Sequence, residues 1–273
     1  MATLNTVTSS TRPASPTAGE AYFETDTNKI IVWNGSSWTE IVSDGTLSSF
    51  SNDYSVAFDG SDDIIDVGNI SAINSASNVT ISCWVKADSF PNSSFNSIWG
   101  GGQAGGSGHP SRFWFNANAT RLNLYNGTSQ NFSFSTTVST GTWYHTAVVI
   151  SGSTNLSVYL NGSQLGSTVT TFNSLTSQSG DNFEIAGNPT YDPYFWDGNI
   201  DEFAVFNSAL SAANVTAIYN SGVPTDLTSL SPVHWLRMGD NDGGTGTTIT
   251  DQGSGSNDGT LTNGPTFSSS VPS

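Results

Sequence analysis

The clearest pattern of hydrophobic and polar positions in the chain lies within Gly141–Gly162. Trp143–Ile150 is a run rich in aromatic and β-branched residues, which is typical of a buried strand. Within Leu156–Leu160 the aliphatic side chains recur with a period of two, which indicates a second strand with those side chains on its core face. The connection between the runs is short and polar, and Asn161-Gly162 follows, a dipeptide that tolerates the positive φ angles of a tight turn. The pattern predicts an antiparallel hairpin at the centre of the fold.

Shorter strand patterns, separated by turn residues, recur along the rest of the chain. Val79–Lys86 alternates apolar and other residues in the same way. Ala209–Asn220 has helical spacing instead, with Ser211 as the predicted N-cap and Gly222 just beyond the end. We therefore predict an all-β fold, a two-sheet antiparallel sandwich with one short helix.

The chain divides into three predicted segments. Residues 1–47 hold three short strand candidates, and a β module of this size buries too little area to be stable alone. It is expected to pack on the main domain, on a second copy or on a docking partner. Residues 48–222 form the predicted sandwich, and residues 223–273 form a C-terminal segment.

Composition and charge exclude several classes of function. The chain has 22 acidic residues against six Lys and Arg, giving a net charge of −16, so it cannot neutralise a phosphate backbone. Nucleic-acid binding is excluded on this ground, and binding to anionic membranes is disfavoured. The single cysteine, Cys83, lies in an apolar run, which indicates a buried small side chain and rules out an internal disulfide.

The N-terminal sequence resembles a known short module. The stretch RPASPTAGEAYFETDTNKIIVWNGSSWTEI is similar to modules that recur near the ends of phage tail-fibre and other virion proteins. The first ten residues have neither the basic nor the apolar region of a secretory signal, although the composition suits a surface protein. A virion protein, assembled in the host cytoplasm and displayed on the particle surface, fits both observations.

The main segment resembles the laminin-G-like, concanavalin A-like lectin/glucanase family. The resemblance is carried, in the family's order, by Phe58–Asp63, Val79–Val85, Gly141–His145, Val158–Gly162 and Phe195–Phe203. It implies a jelly-roll sandwich. An introductory segment that precedes these strands in typical members has its look-alike at Val233–Phe267, after them. We expect the C-terminal segment to fold back and complete the sandwich; completing a neighbouring copy and beginning a second repeat are the alternatives.

Carboxylate spacing argues against catalysis. A glycosidase needs two carboxylates side by side, and the related glucanases place them on one strand as E-x-D-x-x-E, a motif that this chain lacks. Asp201 and Glu202 are adjacent, so on a regular strand they point to opposite faces, and Glu184 stands alone among apolar residues. We predict that the protein is not an enzyme.

Two kinds of binding site are predicted. Calcium takes several oxygen ligands, and the family often holds it in acidic loops, so we predict a calcium site among Asp59, Asp62, Asp63, Asp201, Asp251 and Asn257. Sugars bind exposed aromatic rings beside hydrogen-bonding side chains. The best candidate loop for such a site holds Asn188, Tyr191, Asp192, Tyr194 and Trp196.

The leading hypothesis is a non-enzymatic phage virion structural protein, either a capsid decoration or head fibre or a tail-fibre component. Its lectin-like sandwich would cover a protein lattice or adhere weakly to a cell-surface glycan. The expected partners are other capsid or tail proteins and further copies of the chain, with a trimer as one arrangement. The alternative is a bacterial surface carbohydrate-binding module or a glycoside hydrolase of the same fold.

Overall fold

The computed structural model describes residues 5–27, 29–33, 35–43, 50–74, 76–92, 95–101, 111–175, 182–187 and 194–273, with the backbone alone for residues 40–43. The chain forms two compact units, Met1–Phe50 and Ser51–Ser273. Among the helices in these ranges, none is both long enough and apolar enough to cross a membrane.

The smaller unit is a four-stranded sheet. Its strands are β1 (Asn5–Val7), β2 (Ala21–Glu24), β3 (Lys29–Trp33) and β4 (Trp38–Ser43), in that order across the sheet. Strand β1 runs parallel to β2, and the other pairs are antiparallel. The buried carboxylate of Glu24 pairs with Arg12 and accepts a hydrogen bond from Thr27, and this ion pair lies within the unit.

The larger unit is a sandwich of two antiparallel sheets. Its strands, in chain order, are β5 (Ser55–Asp59), β6 (Ile64–Asp66), β7 (Val79–Ala87), β8 (Phe95–Gly101), β9 (Ser111–Asn116), β10 (Arg121–Tyr125), β11 (Asn131–Ser135), β12 (Trp143–Ser151), β13 (Asn155–Leu160), β14 (Ser163–Gln164), β15 (Phe183–Ile185), β16 (Asp197–Phe206), β17 (His234–Leu236), β18 (Thr248–Ile249), β19 (Gly259–Thr262) and β20 (Thr266–Ser268). The front sheet has the order β11-β10-β9-β8-β15-β6-β19-β18. The back sheet has the order β14-β13-β12-β7-β16-β5-β20, with β17 also paired to β16.

The predicted hairpin lies in the back sheet. Strands β12 and β13 pair in register from Ser151 opposite Asn155 to Thr146 opposite Leu160, and Asn161 and Gly162 have φ angles of 49° and 73°. The aliphatic residues of β13 face the core, where they meet the inner face of the front sheet. The predicted all-β sandwich with one short helix is therefore confirmed.

The helix α1 (Ala212–Tyr219) covers part of the outer face of the back sheet. Ser211 caps it by accepting a hydrogen bond from the Asn214 N–H at 3.2 Å, and Asn220 ends it in the left-handed region. The Tyr219 ring lies 5.8 Å from the Trp84 ring on β7. Single 3-10 turns occur at Ser71–Ile73, Asn220–Gly222 and Thr228–Leu230.

The C-terminal segment adds strands to both sheets of its own chain. Strand β17 pairs with β16 beyond the point where β5 ends, and β20 pairs with the other edge of β5. Strand β19 pairs with β6 in the front sheet. This arrangement brings the loops after β17 and before β5 together around the buried middle of β16.

Candidate functional site

The outer face of the front sheet carries a row of polar and aromatic residues. Tyr125 pairs with Arg112, Arg112 with Gly100, Gly100 with Glu184, and Glu184 with Asp66. Residues that pair directly across antiparallel strands share a face, and their chain neighbours here fill the core. The row therefore lies on the face turned away from the core. Within it Gly100, which has no side chain, separates the cation Arg112 from the anion Glu184.

Aromatic rings surround the cation of this row. The Arg112 guanidinium lies 4.7 Å from the centroid of Phe95, 5.4 Å from that of Trp114 and 6.0 Å from that of Tyr125. The Phe95 ring also meets the Tyr194 ring edge-on at 4.9 Å. Burial lowers the pKa of Arg112, and the neighbouring tyrosines Tyr125 and Tyr194 oppose this. Phe95, Tyr125 and Tyr194 stay half-buried, so they present part of their rings to solvent.

Two acidic residues are neighbours at one end of the row. Glu184 stands alone among apolar residues in the sequence, but strand pairing places Asp66 directly opposite it. Asp66 has both oxygens engaged, because Oδ1 accepts the Gly68 N–H at 2.8 Å and Oδ2 accepts the Asn182 amide at 2.7 Å. Strand register brings the two residues together, and neither sequence segment contains that information.

The predicted sugar-binding loop is only partly described. Asn188, Tyr191 and Asp192 lie outside the described residues. Tyr194 joins the aromatic group around Arg112. Trp196 is 1% exposed and packs against Phe90 and Phe115, so the expectation that it offers a ring to a sugar was wrong.

The adjacent carboxylates of β16 are both buried. The strand bulges between Asp201 and Ala204, and Glu202 has a φ of 46°, so the regular alternation that was predicted to separate them is broken. Asp201 accepts the Asn52 amide at 2.8 Å, and Glu202 accepts the Arg237 Nε–H at 3.1 Å. Burial is the main cause that raises the pKa of Glu202 to about 7 and the pKa of Asp201 well above its ordinary value. These groups hold the fold together and do not reach solvent.

Three aspartates at the end of β5 and just after it do come together. Asp59, Asp62 and Asp63 each offer a carboxylate oxygen, and these oxygens lie within 4.8 Å of one another. Asp63 accepts the Asp59 N–H through Oδ2, and Asp59 accepts the Ser61 N–H through Oδ1, which leaves one oxygen of each for a ligand. Burial, followed by the charges of the other two carboxylates, raises the pKa of Asp63. The donor set is hard and anionic, and no cationic side chain in the described ranges is paired with it, which fits calcium.

Two other predicted calcium ligands, Asp201 and Asp251, lie outside this cluster, and both oxygens of each accept hydrogen bonds. Both oxygens of Asp251 accept hydrogen bonds, from His234 Nδ1 and from the backbone N–H groups of Trp235, Gly253 and Asn257. Burial acts to raise the pKa of Asp251, but these hydrogen bonds together lower it. Asn257 uses its amide on the Asn69 carbonyl, and Asp201 binds Asn52. The predicted ligand set therefore does not hold for Asp201 and Asp251, and the role of Asn257 stays a prediction.

The two histidines in the described ranges are both buried, and His234 is bonded to Asp251 at 2.7 Å. His145 is fully buried beneath α1, where its Nε2 lies 2.7 Å from the Ser82 hydroxyl and its ring packs on Trp84. Burial lowers the pKa of His145 to about 3, so the ring is neutral. His145 therefore packs between the back sheet and α1. His109 lies outside the described residues.

Two antiparallel sheets with a polar and aromatic outer face define the class, a β-sandwich of the lectin and glucanase type. The chain belongs to the concanavalin A-like lectin/glucanases superfamily, since the Laminin_G_3 model of that superfamily matches residues 59–216, more than half of the 273 residues. The resemblance inferred from the sequence is thus confirmed at the level of the family. No curated protein matches the sequence significantly.

Solved structures share the fold at low sequence identity. A candidate carbohydrate-binding protein from Bacteroides ovatus superposes with a TM-score of 0.62 at 19% identity, covering 94% of this chain and 71% of that one. A heptameric SAP-like pentraxin from Limulus polyphemus gives 0.48 at 19% identity, covering 62% and 82%. Trypanosoma rangeli sialidase gives 0.49 at 15% identity, covering 77% of this chain and 32% of the sialidase.

Proposed function

We propose that the protein is a non-enzymatic glycan-binding module. The observation that carries the proposal is the group of half-buried rings, Phe95, Tyr125 and Tyr194, assembled around Arg112 on the outer face of the front sheet. Partly exposed rings stack on the C–H faces of sugars, and Arg112 holds the rings in place from below. The family membership and the fold of the Bacteroides ovatus protein support the same function.

The proposal that the protein is not an enzyme rests on the hydrogen bonding and burial of its carboxylates. Asp66 has both oxygens tied to the fold, and Asp201 and Glu202 are buried beneath other elements. A retaining glycosidase needs a nucleophile and an acid that both reach the glycosidic bond. The Glu184–Asp66 pair favours a hydrolase as the second candidate, because its two carboxylates do face the same side of the sheet.

A glycan array with the intact protein tests the proposal. We expect binding to a subset of neutral glycans, and no reducing sugar released from those glycans on prolonged incubation. Release that a Glu184→Gln substitution abolishes would establish the hydrolase instead. An array without any bound glycan would contradict glycan binding altogether.

We also propose that the module is displayed on a phage virion, as a capsid decoration, head fibre or tail-fibre component. The N-terminal sequence from Arg12 to Ile41 supports this setting, with the small unit serving for attachment or for self-association into a homo-oligomer. Purified particles probed with an antibody to the protein should carry it on their surface. Particles that lack the protein would contradict the virion role and leave the binding proposal untouched.

Calcium is expected to stabilise the larger unit through Asp59, Asp62 and Asp63. At a calcium concentration about a hundred times Kd, the gain in unfolding free energy is roughly 2.7 kcal/mol. For a domain of this size, each kcal/mol of added stability raises Tm by roughly 2–4 °C. Thermal unfolding in calcium chloride and in EDTA measures it.

The variant Asp62→Asn should lose most of this gain, because it removes a charged ligand oxygen from the cluster. Asp88→Asn is the matched control, since the Asp88 side chain is 58% exposed and lies outside the cluster. Equal calcium responses in the two variants would contradict the assignment of the site.

A further inference from the structure

A pocket of about 320 Å³ opens on the C-terminal segment, away from the face described above. It lies between the 3-10 turn Thr228–Leu230, the start of β17 and the loop that follows Asp251. Because β17 belongs to the back sheet, this pocket and the aromatic group around Arg112 are on different sheets.

The lining of the pocket is neutral. Thr228, Ser231, Gln252 and Ser254 supply hydroxyl and amide groups at its rim, and Pro232 and Trp235 supply apolar surface at its floor. No charged side chain contributes to the lining among the described residues, in a chain with 22 acidic residues. Apolar surface with a few convergent neutral hydrogen-bonding groups is the usual composition of a small-molecule site.

The floor of the pocket is held rigidly. The Trp235 N–H donates to Asp251 Oδ1 at 2.8 Å, and the Gly253 N–H donates to the same oxygen at 2.7 Å. The Trp235 indole N–H donates to Glu202, which fixes the ring as well as the backbone. A side chain on Gly253 would place its Cβ 2.2 Å from the Val233 carbonyl oxygen, so only glycine fits there.

The rim groups, by contrast, are available. Thr228, Ser231 and Ser254 are exposed, and in the described part of the chain their hydroxyls have no protein hydrogen-bond partner. The Gln252 amide makes one long hydrogen bond, 3.3 Å, to the Thr250 carbonyl. A ligand can therefore bond to these groups without breaking contacts that stabilise the fold.

We infer that this pocket binds a single neutral pyranose ring. Such a ring has an apolar C–H face for the Pro232 and Trp235 surface that lines the pocket, and hydroxyls for the four polar residues of the rim. The volume suits one sugar unit. A uronic acid is disfavoured, because its carboxylate would lose water without gaining a cation in the pocket. This site is additional to the proposed glycan-binding face and does not depend on it.

Saturation-transfer NMR and titration with methyl β-D-glucopyranoside test the inference on the intact protein. We expect transfer to the sugar in the wild type and binding at least about tenfold weaker in Ser254→Trp, whose ring would fill the pocket. Ser229→Trp is the matched control, an exposed serine of the same region that does not line the pocket, and it should bind as the wild type does. Methyl β-D-glucuronide should bind at least about tenfold more weakly than the glucoside.

Three results would overturn the inference. They are the absence of transfer in the wild type, equal binding by Ser254→Trp, and loss of binding in Tyr125→Ala, which alters the front-sheet face alone. The last result would place the sugar at the face of the proposed function. Thermal unfolding of each variant verifies that it is folded, and an unfolded Ser254→Trp is replaced by Gln252→Ala, for which we expect weaker binding of the glucoside.

Discussion

Replacing Arg237 by methionine is expected to lower the free energy of unfolding by about 3–5 kcal/mol at pH 8. The Arg237 guanidinium pairs with Glu202 at 3.1 Å and with Asp240 at 3.1 Å, and it lies 5.3 Å from the centre of the Trp235 ring. Its side chain is 11% exposed, and Glu202 is almost fully buried, so water cannot replace the lost cation. Methionine preserves much of the side-chain volume, which makes the lost charge the main change. Denaturant unfolding measures the effect.

The matched control is Lys86→Met. Lys86 lies 3.9 Å from Asp88, whose side chain is 58% exposed, and an ion pair of that kind contributes less than about 1 kcal/mol. Adding Glu202→Gln to Arg237→Met should restore part of the lost stability, since it removes one of the stranded charges. A loss below about 1 kcal/mol in Arg237→Met would contradict the role of this cation in the buried network.

The second large effect is a stabilising contribution of the buried carboxylates that is lost as the pH rises. The pKa of Glu202 is raised from its ordinary 4.5 to about 7, mainly by burial, and the pKa of Asp201 is raised in the same direction. The folded protein therefore keeps protons on these groups that the unfolded chain releases, so their contribution to the free energy of unfolding falls as the pH increases from about 4.5 to about 7. For each proton the slope is at most roughly 1.4 kcal/mol per pH unit. Above this window the contribution of Glu202 is constant.

Denaturant unfolding between pH 5 and pH 8 checks this dependence. The variant Glu202→Gln should lose less stability than the wild type between pH 5 and pH 7, because an amide has no proton to lose and still accepts the hydrogen bond from the Trp235 indole. The lowered pKa of Asp251 acts in the opposite sense only below its ordinary value of 3.8, outside the window measured. The lowered pKa of His145 acts in the opposite sense inside the window, because the unfolded chain binds a proton below about pH 6.5 that the buried ring does not. This contribution is the same in both proteins, so an equal pH dependence in the wild type and in Glu202→Gln would contradict the raised pKa of Glu202.

Local sequence patterns predicted the frame of the molecule. The alternation within Leu156–Leu160 and the short polar connection Ser151–Asn155 determine the hairpin of β12 and β13, and Asn161-Gly162 forms the next turn, into β14. Both features depend on residues close together in the chain. Ser211 marked the start of the helix region for the same reason. The hairpin and the helix could therefore be predicted without knowing which distant residues pack against them.

The candidate site depends on strand register, which the sequence patterns do not predict. Asp66 and Glu184 lie more than a hundred residues apart in the chain, and only the pairing of β6 with β15 places them side by side. The bulge at Asp201 reverses the expected separation of two carboxylates, since one unpaired residue changes which face a side chain occupies. Trp196 carried no local signal of burial, because its partners Phe90 and Phe115 come from other strands and loops.

The affinity of the protein for a glycan that it selects on an array tests the central claim most directly. Isothermal titration of that glycan with the wild type, Tyr125→Ala and Trp143→Ala provides the comparison, because Trp143 is a half-buried aromatic residue on the other sheet. The claim predicts that Tyr125→Ala binds at least about tenfold more weakly and that Trp143→Ala binds as the wild type does. Unchanged affinity in a folded Tyr125→Ala would show that the outer face of the front sheet does not bind the glycan.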